Sequence, residues 1–154
     1  MQTRIPPPFI MLFSAAVMWL LHSLLPIARL IDPPWHRLGL LLMVAGVGVA
    51  ATAFMHFQRV GTTVDPRNPA KASRLVTDGV FAWSRNPMYL GLLLALAGLA
   101  VMFGTIGPWL VPPLFVVAVT ILQIKPEERV LGTLFGQAYV DYCRGTGRWI
   151  GRKS

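Results

Sequence analysis

Four apolar stretches, roughly Phe9 to Ala28, Leu38 to Phe57, Met88 to Gly104 and Ile106 to Ile124, constrain this chain more than any other feature. A helix needs about 20 residues, with a range of about 17 to 25, to cross the hydrocarbon core of a bilayer. Inside lipid the backbone must satisfy its own hydrogen bonds, so such stretches fold as helices. With 55% of its 154 residues hydrophobic and 13% charged, the chain has a membrane composition. No run of strand-like alternation and no internal repeat is present, and the length fits a single domain over residues 1–154. The first stretch lacks a small-x-small cleavage site before Pro26 and has only Arg4 as a basic flank, so it reads as a mature span rather than a signal peptide. The expected fold is all-α: an integral membrane bundle of four transmembrane helices, at about 9–28, 38–57, 88–104 and 106–124, plus a cytoplasmic helix at about 126–143.

Lys and Arg beside spans resist translocation, which sets the orientation. With the N-terminus inside, every Lys and Arg except Arg29 and Arg37 falls on the cytoplasmic side. Both termini are therefore expected in the cytoplasm, and the expected location is a bacterial-type inner membrane. The net charge of +8 is spread over juxtamembrane loops rather than gathered on a soluble domain, which points to anionic lipid headgroups and away from nucleic acid.

The connecting segments have simpler readings. Asp32-Pro33-Pro34-Trp35 is a turn with an interfacial aromatic, and Gly46-Val47-Gly48 with Ala50-Ala51 reads as helix packing. In the long loop from Gln58 to Arg85, the turn signal Thr77-Asp78-Gly79 lies between apolar residues, so the loop is expected to fold back along the membrane surface as a wall. Pro112-Pro113 is expected to kink the fourth span. Beyond Pro126, Val130, Leu131, Leu134, Phe135, Ala138, Tyr139 and Tyr142 recur at the spacing of one face of an amphipathic helix.

Two polar segments stand out against this background, Ser84-Arg85-Asn86-Pro87-Met88-Tyr89 and Pro126-Glu127-Glu128-Arg129. Ionisable groups beside a bilayer cost a few kcal/mol each, so a retained cluster is a candidate functional site. The short link from Gly104 to Gly107 makes spans three and four an antiparallel hairpin and returns both segments to one side. Glu127 and Glu128 read either as acids that complement the positive end of a helix starting after Pro126, or as acceptors for a ligand's hydroxyls or ammonium. Arg85 reads either as a snorkelling interfacial residue or as a fork for a ligand carboxylate. Asn86, placed before a proline, is biased out of helix, so the third span starts at about Pro87 or Met88 with free N–H groups that suit an anionic group. His22, His36 and His56 are scattered, so no metal site is expected, and the lone Cys143 is assigned no chemistry. Gly145-Thr146-Gly147 has neither the strand nor the helix of a dinucleotide fingerprint.

At these residues the chain resembles the integral membrane methyltransferases grouped with isoprenylcysteine carboxyl methyltransferase and the phospholipid methyltransferases, over about Gly61 to Ile150. The family's Arg-His-Pro-x-Tyr-x-Gly stretch stands here as Arg85-Asn86-Pro87-Met88-Tyr89-Leu90-Gly91. Its Glu-Glu-x-x-Leu-x-x-x-Phe-Gly-x-x-Tyr-x-x-Tyr stretch runs here from Glu127 through Leu131, Phe135, Gly136 and Tyr139 to Tyr142. The resemblance implies S-adenosylmethionine bound on the cytosolic side and a lipophilic acceptor, carrying a carboxylate, amine or thiol, that enters from the membrane. Carried over residue by residue, it implies cofactor contacts from Arg85, Asn86, Pro87, Tyr89, Leu90, Glu127 and Glu128, closure by Tyr139 and Arg148, and catalytic roles for Arg85 and Glu128. Two departures matter. Asn86 stands where the family usually has His, which removes a titrating base. Gln123 stands where carboxyl methyltransferases often have Arg, which speaks against a prenylcysteine carboxylate. Two other readings remain: an NADPH-dependent sterol-reductase-like enzyme, for which the chain is short, and a non-enzymatic membrane scaffold suggested by the Gly-rich spans and amphipathic tail.

Overall fold

The computed structural model of the protein describes residues 6–25, 28–60 and 74–151. Among these the chain is all-helical, with a single isolated bridge between Arg29 and Thr105. The order is α1 (Pro7–Leu24), α2 (Leu38–Val60), α3 (Pro87–Phe103), α4 (Val111–Val119), a π-helical turn (Thr120–Ile124), α5 (Lys125–Phe135) and α6 (Gln137–Gly145). Short 3-10 turns precede α2 at Trp35–Arg37, α3 at Gly79–Ala82 and α4 at Gly107–Leu110. By length and composition three helical rods can cross a membrane: Pro7–Leu24, Trp35–Val60 and Gly107–Phe135. The fourth apolar helix, α3, has 17 residues, about 25 Å at 1.5 Å per residue.

α2 and α3 lie antiparallel with their backbones in contact at two glycine pairs. A Cβ on Gly91 would stand 2.5 Å from the Gly46 carbonyl oxygen and 2.6 Å from the Ala50 nitrogen. One on Gly98 would meet the Gly39 carbonyl oxygen at 2.5 Å and the Met43 nitrogen at 2.6 Å. Gly39, Gly46 and the fully buried Ala53 repeat every seven residues, as Gly91 and Gly98 do. A seven-residue seam is the period at which two helices stay in register while crossing with a left-handed twist. In lipid no hydrophobic drive pulls helices together, so this close backbone approach supplies the packing contact instead. Of the expected packing pair, Gly46 serves the interface, whereas Gly48 has open space around it.

Met18 of α1, Leu96 and Ala100 of α3, Phe115 and Val119 of α4 and Ile124 of the π turn form the main core. On its outside, Leu41, Val44, Leu114 and Ile121 stay exposed, as lipid-facing residues do. At the end opposite the polar segments, Gly104 (φ 68°) terminates α3 and its carbonyl accepts from the Leu30 and Ile31 amides. His22 and Thr105 hydrogen-bond there at 2.8 Å.

Three expectations are corrected by the structure. Pro112 and Pro113 do not kink a span; they sit in the first turn of α4, where missing N–H groups leave nothing unpaired. The helix expected to start afresh at Pro126 is continuous with the fourth span, from Gly107 to Phe135. The π turn makes this possible. A proline in regular helix orphans and crowds the carbonyl four residues before it, here Leu122. The ladder instead widens just upstream, where the Lys125 amide reaches back to the Thr120 carbonyl. The expected single helix at 126–143 is also two helices, because Gly136 takes φ 51°, ψ −123°, which separates α5 from α6. Boundaries of the other spans shift by a few residues, and Pro26, inside the expected first span, lies outside the described residues.

The long loop folds back as expected over its described part. Val76 and Phe81 are buried with Ala53, and Phe57 meets Phe81 edge-on at 4.7 Å between ring centres. Gly61 to Ser73, which holds the rest of that expectation, lies outside the described residues.

Gly91→Ala is expected to lower stability by about 1–3 kcal/mol, because its methyl meets backbone that cannot yield. Gly48→Ala is expected to be neutral or slightly stabilising. Equilibrium unfolding in mixed detergent micelles compares the two, and equal effects would refute the glycine seam.

Candidate functional site

The polar residues converge at the end of the bundle where α3 begins and α5 leaves the core. Asn86 has φ −132° and ψ 54°, outside helix, so α3 starts at Pro87 as its sequence requires. The Ser84 hydroxyl, on a residue 2% exposed, accepts from the Asn86 amide at 3.0 Å and fixes this start. The segment after α6 then folds back across it. The Arg85 amide donates to the Gly147 carbonyl at 3.0 Å, the Asn86 side-chain amide to the Arg148 carbonyl at 3.0 Å, and the Gly151 amide to the Trp83 carbonyl at 3.0 Å. Trp149 packs against the main core and pins this strap from inside.

At the centre Glu128 holds two guanidinium groups. Arg148 binds it bidentately, Nε to Oε1 at 2.9 Å and Nη2 to Oε2 at 2.8 Å, and Arg85 Nη1 lies 3.1 Å from Oε1. The Arg85 and Glu128 side chains are only 11% and 17% exposed, whereas Arg148 is 39% exposed. The buried pair is thus mutually obligatory, and the outer arginine contributes less. Arg85 Nη1 also donates to Cys143 Sγ at 2.7 Å and to the Tyr139 hydroxyl at 3.4 Å. Beside this cluster the Tyr89 hydroxyl donates to Glu127 Oε1 at 2.8 Å.

Two pKa directions follow from the packing. Burial, assisted by nearby Cys143 and Glu128, pushes the Tyr139 hydroxyl above the usual tyrosine range, so it remains protonated and serves as a hydrogen-bonding group rather than a base. The hydrogen bond to Glu128 raises Arg148 further.

Among the expected residues, Arg85, Glu128, Arg148 and Tyr139 meet directly, Tyr89 and Glu127 form a second pair, and Asn86 ties the strap. Pro87 and Leu90 enter through the backbone: Pro87 is fully buried at the helix start, and the Leu90 amide donates to the Asn86 carbonyl. Glu127 and Glu128 do not sit at a free helix end, because the helix runs unbroken through them. The dipole reading of this pair therefore falls away. Cys143, assigned no chemistry from sequence, touches Arg85, and Tyr142 donates to the Phe81 carbonyl at 2.7 Å, closing the loop onto α6. Tyr142 was visible as the last residue of the second motif. Nothing in the sequence marked Cys143 except its place one residue later.

A model of the phospholipid methyltransferase family matches residues 35–138, a stretch that contains the first motif whole and the second from Glu127 to Ala138. The chain belongs to this family. No curated protein and no solved structure matches it. As a phospholipid methyltransferase family member with helices able to cross a membrane, it is a membrane methyltransferase of the kind that acts on lipid. The matched region ends at Ala138, so Tyr139 and the strap carrying Arg148 lie just beyond it.

Glu128→Ala is expected to destabilise the protein by about 3–5 kcal/mol, because it strands a buried guanidinium. Arg148→Ala should cost about 1 kcal/mol or less. Adding Arg85→Met to Glu128→Ala should recover part of the loss. A double-mutant cycle read by equilibrium unfolding checks this, and additive losses would refute the coupling.

Proposed function

We propose that this protein transfers a methyl group from S-adenosylmethionine to the polar head of a lipophilic acceptor, at the end of the bundle where Arg85 meets Glu128 beside the Tyr89–Glu127 pair. One observation carries the reading: both family motifs and the strap bring their polar side chains to a single cluster beside the membrane-spanning core. The residues fit the cofactor's chemistry. Arg85 Nε is buried and has no hydrogen-bond partner among the described residues, so the guanidinium retains a donor for a ligand oxygen. The carboxylates of Glu127 and Glu128 suit an ammonium or ribose hydroxyls, and Arg85 and Arg148 suit a carboxylate.

In this proposal Arg85, Asn86, Tyr89, Glu127 and Glu128 hold the cofactor, Pro87 and Leu90 shape the wall, Tyr139 and Arg148 close it, and Arg85 and Glu128 lie nearest the reacting groups. Bound S-adenosylmethionine supplies an electrophilic methyl on a sulfonium. The protein's part is to position and to exclude water, which suits a displacement in which charge disperses. Tyr89 fixes the Glu127 carboxylate, and a fixed carboxylate orients a cationic or hydroxyl group. The bias of basic residues supports a cytoplasmic position for this end, with both termini on the same side.

Calorimetric titration of S-adenosylmethionine and S-adenosylhomocysteine into the detergent-purified protein tests the reading. Binding is expected, weakened about tenfold or more in Glu127→Gln and in Tyr89→Phe, each checked for an unchanged unfolding temperature. A folded parent protein that binds neither compound would refute it.

A further inference from the structure

At the polar end of the bundle, Trp83 and Ile150 leave large apolar side chains open, 67% and 71% exposed. They are far apart in sequence and neighbours in space, because the Gly151 amide donates to the Trp83 carbonyl at 3.0 Å. The strap also closes on itself, with the Gly147 amide donating to the Gly151 carbonyl at 2.6 Å. Trp149 packs inward on the main core, and Ile150 faces out. Backbone bonds on both sides therefore impose this exposure, which is not that of a loose end.

The packing of α2 against α3 gives the depth of the pair. Gly39 lies against Gly98 and Gly46 against Gly91, so residues just before α3 fall level with the last turn of α2. Ring contacts fix that level: Phe81 stacks on His56 at 6.1 Å and meets Phe57 edge-on at 4.7 Å. Trp83 follows two residues later. Here the outward-facing Phe54 and Met55 of α2 give way to Gln58 and Arg59. Four residues beyond Trp83 the apolar helix α3 begins at Pro87. This is the boundary between hydrocarbon and headgroups, the layer in which an indole is most favourably placed.

The charge around the pair is basic. Arg59 ends α2, Arg144 is 75% exposed, and Arg148 lies in the strap itself. The acids at this end are already held: Asp78 by His56, Glu127 by Tyr89, Glu128 by two arginines and Asp141 by Arg144. Apolar side chains at headgroup depth, with cations beside them, complement phosphate over hydrocarbon. We infer that Trp83 and Ile150 form one anchor that seats the strap in the headgroup layer of an anionic bilayer. The strap carries Arg148, which grips Glu128 and whose carbonyl accepts from the Asn86 side chain. The membrane surface thus holds the cover of the polar cluster in place. The inference does not depend on methyl transfer.

The test uses the protein in nanodiscs of phosphatidylcholine, with or without phosphatidylglycerol, loaded with one copy or two. The emission of Trp83 is obtained as parent minus Trp83→Phe, and Ile150→Trp added to Trp83→Phe reports on the strap. Both reporters are expected to be quenched more by lipids brominated near the head of the acyl chain than by lipids brominated near its middle. Acrylamide in the water should quench them about fivefold less when phosphatidylglycerol is present, the weight of one basic residue at an anionic surface. Trp83→Ser with Ile150→Ser should speed hydrogen exchange at the Gly147 and Gly151 amides about tenfold, the weight of one apolar side chain returned to water. Reporters open to acrylamide and untouched by bromine would show a face turned to water or to a soluble partner, and would overturn the inference. Stronger quenching from mid-chain bromine would make Trp83 an ordinary lipid-facing residue and also overturn it. So would shielding only in discs with two copies, equal shielding in the two lipids, or unchanged exchange in the double serine variant. The emission measurements decide the matter even if the serine variant is unstable, because their substitutions stay aromatic or apolar.

Discussion

The Glu128 carboxylate, shared by Arg85 and Arg148, is the interaction on which the functional end of this molecule depends. It joins three parts of the chain that are far apart in sequence: the segment leading into α3, the first turn of α5 and the strap after α6. Each of those parts is also held by backbone bonds, such as that from the Arg85 amide to the Gly147 carbonyl, but these fix only proximity. The shared carboxylate fixes which groups face each other. Because Arg85 and Glu128 are largely removed from water, neither can be left without the other. Arg148 is more exposed and completes the carboxylate's bidentate pairing from the outside.

That pairing is possible only because the membrane part delivers its members to the same level. α3 is held tightly to α2 by glycine pairs, so its start is fixed relative to the bundle. The fourth span carries Glu127 and Glu128 on a rod that passes through Pro126 without stopping, through the widened turn at Thr120–Ile124. A regular helix would have had to break at that proline, and a fresh helix would have left the two carboxylates on an independent surface element. The rod instead carries the rigidity of the core to the edge of the membrane. Gly136 then breaks the helix and turns Tyr139 and Cys143 of α6 toward Arg85.

The helical character and approximate spans were legible because lipid leaves the backbone so few options. The meeting of the two polar segments was legible too, since a four-residue link between spans fixes which ends share a side. What could not be read was local. Gly46 and Gly48 are equivalent in sequence, and only the three-dimensional partner, Gly91, distinguishes the packed glycine from the exposed one. Pro112-Pro113 and Pro126 carry the same sequence signal of a helix interrupted. The first pair lies in a first turn, and the second is absorbed by a wider ladder, a choice made by the register of the whole span against α1 and α3. The role of Cys143 depends on α6 being a separate helix, which turns on the backbone angle of Gly136 and on no side-chain pattern.

The charges of the site suggest why a zwitterionic ligand suits it on the proposed reading. Arg85 and Arg148 both pair with Glu128, and Glu127 stands beside them on Tyr89, so the four ionisable groups are equal in number of either sign before anything binds. In a poorly hydrated place, adding a net charge to a balanced cluster is penalised by desolvation with nothing to offset it. An amino-acid group carrying both an ammonium and a carboxylate avoids this penalty, because each of its charges takes over a contact that the cluster already makes. The outer arginine, the more exposed of the two, is the partner that can exchange at the lowest cost. The buried Arg85 keeps one contact with Glu128 and still has an Nε–H that no group among the described residues accepts. A lipid head that arrives from the membrane side then meets a site whose charges are already matched. Its own recognition must come from the apolar half of the molecule and the few polar atoms placed there.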